Sequence, residues 1–420
     1  MKKSVFLFAL CLAVLGCGHK SEMKSDAEYL IFLDNESGAP QKRVESVSVV
    51  EFEVNESWMY ATYSSWLTKT SDRWAMVNPE MGRVRPLQNG TIFEDKNDLL
   101  LMYDHEGNMT SQRHISGRGP GEVVSVKNLY ARGDTVFLYD SSTDKLIGFD
   151  KDGKHIFIFR KKESDEAVFK IGNEYVGLAP RGEYYVNVYD QNGKLKGRHS
   201  ETEAFYRALN LSNGNSPGYY IYKDCVRFIR YGDYTVYSYS NDTVIPVFGF
   251  VTGNAIPESL HETEQYSVGD NTYHHVNGVK FLGEVTKGGY DSGFSTFFET
   301  EDFLYFQYFS AGTRICLFDK RDGSLYRQSS SYLDYILEEP DYSVKTQDDA
   351  WNYLFSATEP HYSEDNSIYF AMRVESFNIL RNIPVRADKR LAAFIRDARR
   401  YIDGNSLSDE DIFFIRMDLK

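Results

Sequence analysis

One short phrase recurs along the chain: an aromatic residue, an aspartate, two or three turn formers and a glycine, flanked by apolar runs. It reads Tyr103-Asp104-His105-Glu106-Gly107, Phe149-Asp150-Lys151-Asp152-Gly153, Tyr189-Asp190-Gln191-Asn192-Gly193 and Phe318-Asp319-Lys320-Arg321-Asp322-Gly323. Aspartate bonds its own backbone two residues on, and glycine takes the left-handed position that closes a short turn, so each copy predicts a hairpin. Tyr239-Ser240-Asn241-Asp242 is a looser fifth copy. The aspartates at 104, 150 and 190 stand 46 and 40 residues apart, which is the period of a repeat of small four-stranded sheets. Between them run short alternating strands such as Thr135–Tyr139, Lys145–Phe149 and Lys154–Phe159, with no long helical crossovers. The pattern predicts an all-β fold, a β-propeller, rather than any βαβ architecture.

Between two of these strand pairs lies Ser116-Gly117-Arg118-Gly119-Pro120-Gly121-Glu122. Three glycines and a proline exclude a helix or a central strand. Pro120-Gly121 suits the two central positions of a type II turn, where proline pre-sets φ and glycine accepts φ > 0. Gly119, Pro120 and Gly121 are therefore read as a structural turn that carries the chain from one sheet to the next. The other reading is a ligand-facing nest of backbone N–H groups.

Further on, the polar insertion Thr252 to Val276 carries His261, His274 and His275, and is expected to form a loop outside the strand ladders. Short helices are expected at Glu201–Leu209, Tyr332–Glu339 and Asp348–Phe355, and a longer one at Arg386–Asp403. Its Leu391, Phe394, Ile395, Ala398 and Ile402 share a face, and Gly404 stands at its end. The opposite face, with six basic residues, reads as solvated. Ile412–Met417 reads as a last strand. A propeller ring closes by pairing the two ends of its chain, which would set this strand beside Ser46–Val54.

Lys2 and Lys3 precede an apolar run from Val5 to Leu15, shorter than the roughly 20 residues of a spanning helix and laid out as a secretory signal. The run ends in Val14-Leu15-Gly16-Cys17, which resembles the bacterial lipobox, in which the signal is cut before a cysteine that carries lipid. The domain reading is thus a lipoprotein signal at 1–16, a tether at 17–43 and one propeller domain at 44–420. Gly18, where an aspartate would favour the inner membrane, points to an outer-membrane lipoprotein. The formal net charge of -14 disfavours nonspecific attraction to nucleic acid, and no nucleic-acid partner is expected. Once Cys11 leaves with the signal and Cys17 takes lipid, Cys225 and Cys316 remain, as a disulfide or as two buried thiols.

Ser-Gly-Arg-Gly-Pro-Gly-Glu at 116–122, the Phe-Asp-x-x-Gly hairpins and the lipobox together resemble the six-bladed β-propeller lipoproteins of Bacteroidetes, related in shape to NHL and TolB-like propellers. The resemblance covers nearly the whole mature chain and implies six blades. Many members have glutamine where this chain has Arg118. The family implies no general catalytic residue.

Motifs that carry chemistry are mostly lacking in the sequence. Gly117-x-Gly119-x-Gly121 has the wrong spacing for a dinucleotide fingerprint, and there is no Walker loop, His-Glu-x-x-His or Cys-x-x-Cys. Asp150-x-Asp152-Gly153 matches part of a calcium loop but lacks its closing glutamate, and is a turn. No catalytic residue, metal or cofactor is assigned. Arg118, His274 and His275 are retained as candidate ligand-binding residues, with membrane contact through the lipid on Cys17. The leading reading is a noncatalytic propeller that binds an unidentified ligand or protein. The alternative is a hydrolase or lyase acting on glycan or peptide at the channel mouth.

Overall fold

The structure, a computed structural model, describes residues 26–54, 66–71, 73–80, 84–86, 92–94, 97–163, 165–203, 205, 209–210, 218–230, 232–261, 276–329, 347–381 and 388–420. It is a six-bladed β-propeller. Blade 1 holds Trp66–Lys69, Trp74–Glu80, Asn97–Tyr103 and Met109–His114, and blade 2 holds Val126–Arg132, Thr135–Asp140, Lys145–Phe149 and His155–Arg160. Blade 3 runs from Ala167–Ile171 to Leu195–Glu201, blade 4 from Tyr219–Tyr222 to Thr243–Val251, and blade 5 from Ser292–Glu299 to Leu325–Ser329. Blade 6 combines Thr358–Glu364, Ser367–Arg373 and Ile412–Leu419 with Val44–Val50 from the other end of the chain. The first strand of blade 1 lies against those of blades 2 and 6, and that of blade 5 against those of blades 4 and 6, so the first strands ring the central channel.

Every copy of the recurring phrase is a hairpin between a blade's third and fourth strands. Asp150 Oδ1 accepts from the N–H groups of Asp152 and Lys154, at 3.0 and 2.9 Å, and Gly153 has φ +72°. Asp190 repeats the bonds to Asn192 and Lys194, with Gly193 at φ +75°. The fifth copy puts both Asn241 and Asp242 at positive φ, the two-residue hairpin in which these side chains stand in for glycine. Between blades the wedges are filled by aromatic rings, which is where the tyrosine and phenylalanine of this composition go. Phe159 stacks on Tyr175 across blades 2 and 3, Tyr185 on Phe228 across 3 and 4, and Phe250 on Phe294 across 4 and 5.

The ring closes as the sequence predicts, with Val47 opposite Met417 and Val50 opposite Phe414. It also closes further than predicted. Tyr29–Phe32 adds in parallel to the outer strand of blade 4, and Glu36–Gly38 to that of blade 5, before Val44–Val50 completes blade 6. Residues 29–43, assigned to the tether, are thus part of the ring, and the folded domain begins near Tyr29 rather than Val44. The reason is the alternation Tyr29-Leu30-Ile31-Phe32-Leu33: Ile31 and Leu33 are fully buried, while Leu30 and Phe32 face outward. Arg327 fixes this strap by donating to the Leu33 carbonyl at 2.9 Å and pairing with Glu36 at 3.1 Å, and Arg43 pairs with Asp319 at 3.1 Å.

Four α-helices are described: α1 (Gly278–Gly288), α2 (Gln347–Ser356), α3 (Val374–Leu380) and α4 (Lys389–Asn405). The expectations at Asp348–Phe355 and Arg386–Asp403 correspond to α2 and α4. At Glu201–Leu209 the helix is narrower than expected: Phe205 is helical, while Glu201 ends a strand and Leu209 begins another. The one at Tyr332–Glu339 lies outside the described residues. Asp388 caps α4, accepting from the backbone N–H of Arg390 at 2.9 Å and from Trp351 Nε1 at 2.9 Å. Burial works against its ionisation, but the bonds from Arg390 and Trp351 prevail and hold its carboxyl down at about 2. The left-handed residue that ends α4 is Ser406, at φ 54°, and not Gly404.

Candidate functional site

The first strands of all the blades begin at the same end of the channel, and there the chain crosses from blade to blade. The Ser116–Glu122 joint is one of these crossings. Glu122 N–H donates to the Gly119 carbonyl at 3.2 Å and Gly121 has φ +75°, the geometry of a type II turn on Pro120-Gly121. The N–H of Gly119 is taken by Glu122 Oε2 at 2.7 Å, and that of Gly117 by the Val123 carbonyl at 2.8 Å. The backbone donors of Gly117, Gly119 and Glu122 are therefore occupied internally. Gly121 is buried, and a Cβ there would stand 2.9 Å from the Cβ of His155. Arg118 is exposed and donates no hydrogen bond among the described residues.

Beneath the joint lies a buried ion pair that the sequence did not announce. Lys145 is fully buried; its ammonium donates to the Glu122 carbonyl at 2.7 Å and stands 4.0 Å from Asp140. Asp140 in turn accepts from Val124 and Ser125 N–H, both at 3.1 Å. Burial lowers the Lys145 pKa, and Asp140 opposes that shift. Asp165 does the same for the crossing from blade 2 to blade 3. It takes Tyr189 OH and Asn187 Nδ2, each at 2.7 Å, and pairs with buried Lys161 at 3.2 Å. Burial raises its pKa against the pull of Lys161. At the start of the Thr252–Val276 insertion, Tyr234 OH donates to the Asp291 carbonyl at 2.6 Å and accepts from Ile256 N–H at 2.8 Å. Ala255 bridges to Asp291, and Glu258–His261 forms a 3-10 turn, so this part of the insertion is anchored rather than loose. These buried networks are satisfied, as structural polar clusters are.

Unpartnered buried side-chain atoms occur in several places, His155 Nδ1 and Thr202 Oγ1 among them, and two residues that carry such atoms lie on the innermost strands. Asn128, on the first strand of blade 2, is 4% exposed, yet neither its Nδ2 nor its Oδ1 has a partner. His361, on the first strand of blade 6, has a buried Nε2 that is likewise unpartnered. It sits at a bulge between Pro360 and Tyr362, with its ring edge-on to Phe414 at 5.7 Å. Burial lowers its pKa to about 4, so the imidazole is neutral near pH 7. Two residues earlier, Glu359 is solvent-accessible but hemmed in, and desolvation raises its carboxyl to about 7, with no cation beside it. The first strand of blade 1 lies between the strands that carry Asn128 and His361. An orphaned buried polar group costs roughly 1–3 kcal/mol, so Asn128 and His361 gain from any partner that reaches them, water or ligand alike.

Of the candidates read from sequence, Arg118 and Gly119–Gly121 lie on the joint and do not meet on the channel wall. Cys17, His274 and His275 lie outside the described residues. Cys225 and Cys316 are free thiols rather than a disulfide, and burial pushes the Cys316 pKa up. Asn128, Glu359 and His361 were missed: each is one polar letter among others in its strand, and only register shows that the strand is innermost. Among the described residues no group of three His, Cys, Asp or Glu side chains could hold a metal ion.

No family model and no curated protein matches the chain. Solved structures do. BF0058 of Bacteroides fragilis, a protein whose name assigns it to the exported class, is 14% identical, with 93% of this chain and 99% of that one covered at a TM-score of 0.65. A member of the DUF4221 family from Bacteroides vulgatus is 9% identical, with 90% and 99% covered at a TM-score of 0.45. A streptogramin B lyase is 9% identical, with 77% and 79% covered at a TM-score of 0.37. The likeness to BF0058 is one of fold, and it spans the whole ring.

Proposed function

We propose that this chain is an outer-membrane lipoprotein, tethered through Cys17, whose propeller binds a ligand or protein at the joint end of its channel without chemical turnover. The observation that carries the binding reading is the unmet hydrogen-bonding capacity of Asn128 and His361 on the innermost strands. Groups of this kind gain most from a ligand, because their desolvation cost is already met in the folded state. The absence of turnover is favoured by the state of the innermost carboxylates. Glu364 is held by Lys69 at 2.6 Å and Tyr369 at 2.8 Å, and Glu299 by Tyr220 and Lys320, which leaves Glu359 without a second free carboxylate at hand among these strands. General acid–base work on a glycan needs two. The exported class of BF0058 agrees with an envelope address.

The address is tested through Cys17. Cys17→Ser is expected to move the protein from the membrane fraction to the soluble one and to abolish incorporation of a fatty-acid analogue. Unchanged labelling would show that Cys17 does not carry lipid.

A further inference from the structure

At the opposite end of the ring, between blades 4 and 5, three cations surround one aromatic ring. Arg227 Cζ lies 5.3 Å, Lys320 Nζ 5.0 Å and Lys223 Nζ 5.1 Å from the centre of Tyr222. Glu299 lies beneath them, its Oε1 3.3 Å from Lys320 Nζ and its Oε2 3.2 Å from Arg227 Nε while also accepting from Tyr220 OH at 3.0 Å. Among the described residues Lys223 has no carboxylate within ion-pair distance; its ammonium is held by the Tyr222 hydroxyl, and Glu301 acts on it only from further off. The cluster therefore holds three positive charges against one close negative charge, in a chain whose net charge is -14.

Arg227 is the informative member. It is 9% exposed and packed against Tyr222 and Phe248, yet among the described residues its buried Nε has no hydrogen-bond partner and its guanidinium donates no hydrogen bond. A guanidinium presents five donors in a fixed fork suited to oxyanions. Here Glu299 supplies charge to that fork but not hydrogen-bond geometry. Lys320, by contrast, spends a proton on the Thr300 carbonyl at 2.6 Å.

We infer that this cleft is an oxyanion-binding site, distinct from the channel mouth, in which Arg227 and Lys223 take a carboxylate, phosphate or sulfate group over the Tyr222 ring. Lys320 and Glu299 position Arg227 from below. Glu299 competes with the ligand for the same cations, so removing its charge strengthens binding.

Thermal unfolding of the whole ectodomain in phosphate, sulfate or acetate, each against sodium chloride at equal ionic strength, tests the site and separates the three ligand groups. At least one anion is expected to raise the melting temperature by about 2 °C over the chloride control when present at some tenfold its Kd. Arg227→Gln and Lys223→Gln should each abolish that difference, and Glu299→Gln should reach it at several-fold lower anion concentration. Lys223 is on a turn outside the core, so its variant keeps the test valid if Arg227→Gln fails to fold. The inference is overturned if all three anions track chloride in the parent, or if the response persists in Lys223→Gln.

Discussion

Replacing Ile31 by aspartate is expected to unfold the ring at much lower denaturant than the parent, although the residue lies in a segment outside every blade's own hairpins. Ile31 is fully buried against the wedge of blades 4 and 5, which includes Val247, Phe250 and Phe318. Loss of the side chain alone costs about 2–5 kcal/mol, and an unpaired carboxylate in its place adds several more, on a scale where a domain's whole stability is about 5–15 kcal/mol. Leu30→Ser is the control. Leu30 is 43% exposed on the same short strand, so its replacement should shift stability by less than about 0.5 kcal/mol. Equal unfolding midpoints for Ile31→Asp and the parent would show that the strap does not hold blades 4, 5 and 6 together.

The second large effect is expected at the first crossing. Gly121→Val should cost about 2–4 kcal/mol, because the position combines φ +75° with a Cβ that would stand 2.9 Å from His155. Relief would require the turn to leave its place above Lys145, uncovering a fully buried ammonium that draws on the Glu122 carbonyl. Arg118→Gln, exposed on the same turn, should leave the midpoint within about 0.5 kcal/mol. The contrast separates a structural joint from a ligand loop. A parent-like midpoint for Gly121→Val would remove the turn assignment.

The hairpins and the turn were legible because each depends on letters with a local mechanical meaning: aspartate bonding to its own backbone, glycine at positive φ, proline before glycine. Ring closure by Ile412–Leu419 and Val44–Val50 was legible because both runs are apolar and lie at the two ends of the chain. The strap was missed because a four-residue strand with only Tyr29 and Ile31 facing inward carries too few letters to stand out from a polar neighbourhood. The Lys145–Asp140 and Lys161–Asp165 pairs were invisible for another reason. A buried lysine reads like any surface lysine until the fold places its carbonyl and carboxylate partners around it. Asn128 and His361 belong with these, since their lack of partners is a property of three strands meeting at the channel. The glycine-rich joint, conspicuous as it is in the sequence, spends the donors of Gly117, Gly119 and Glu122 on itself.

The central claim is that the channel wall binds without turning its ligand over, and a screen of the lipid-free domain against glycans and peptides tests it most directly. Parent, Asn128→Ala and His361→Ala proteins would be compared, with bound material recovered and analysed by mass spectrometry. The account predicts a ligand recovered intact from the parent, with at least tenfold weaker binding in each variant, the effect of losing one well-placed hydrogen bond or more. Recovery of cleaved or eliminated product would contradict it in favour of a hydrolase or lyase, and binding unchanged in both variants would show that the wall is not the site.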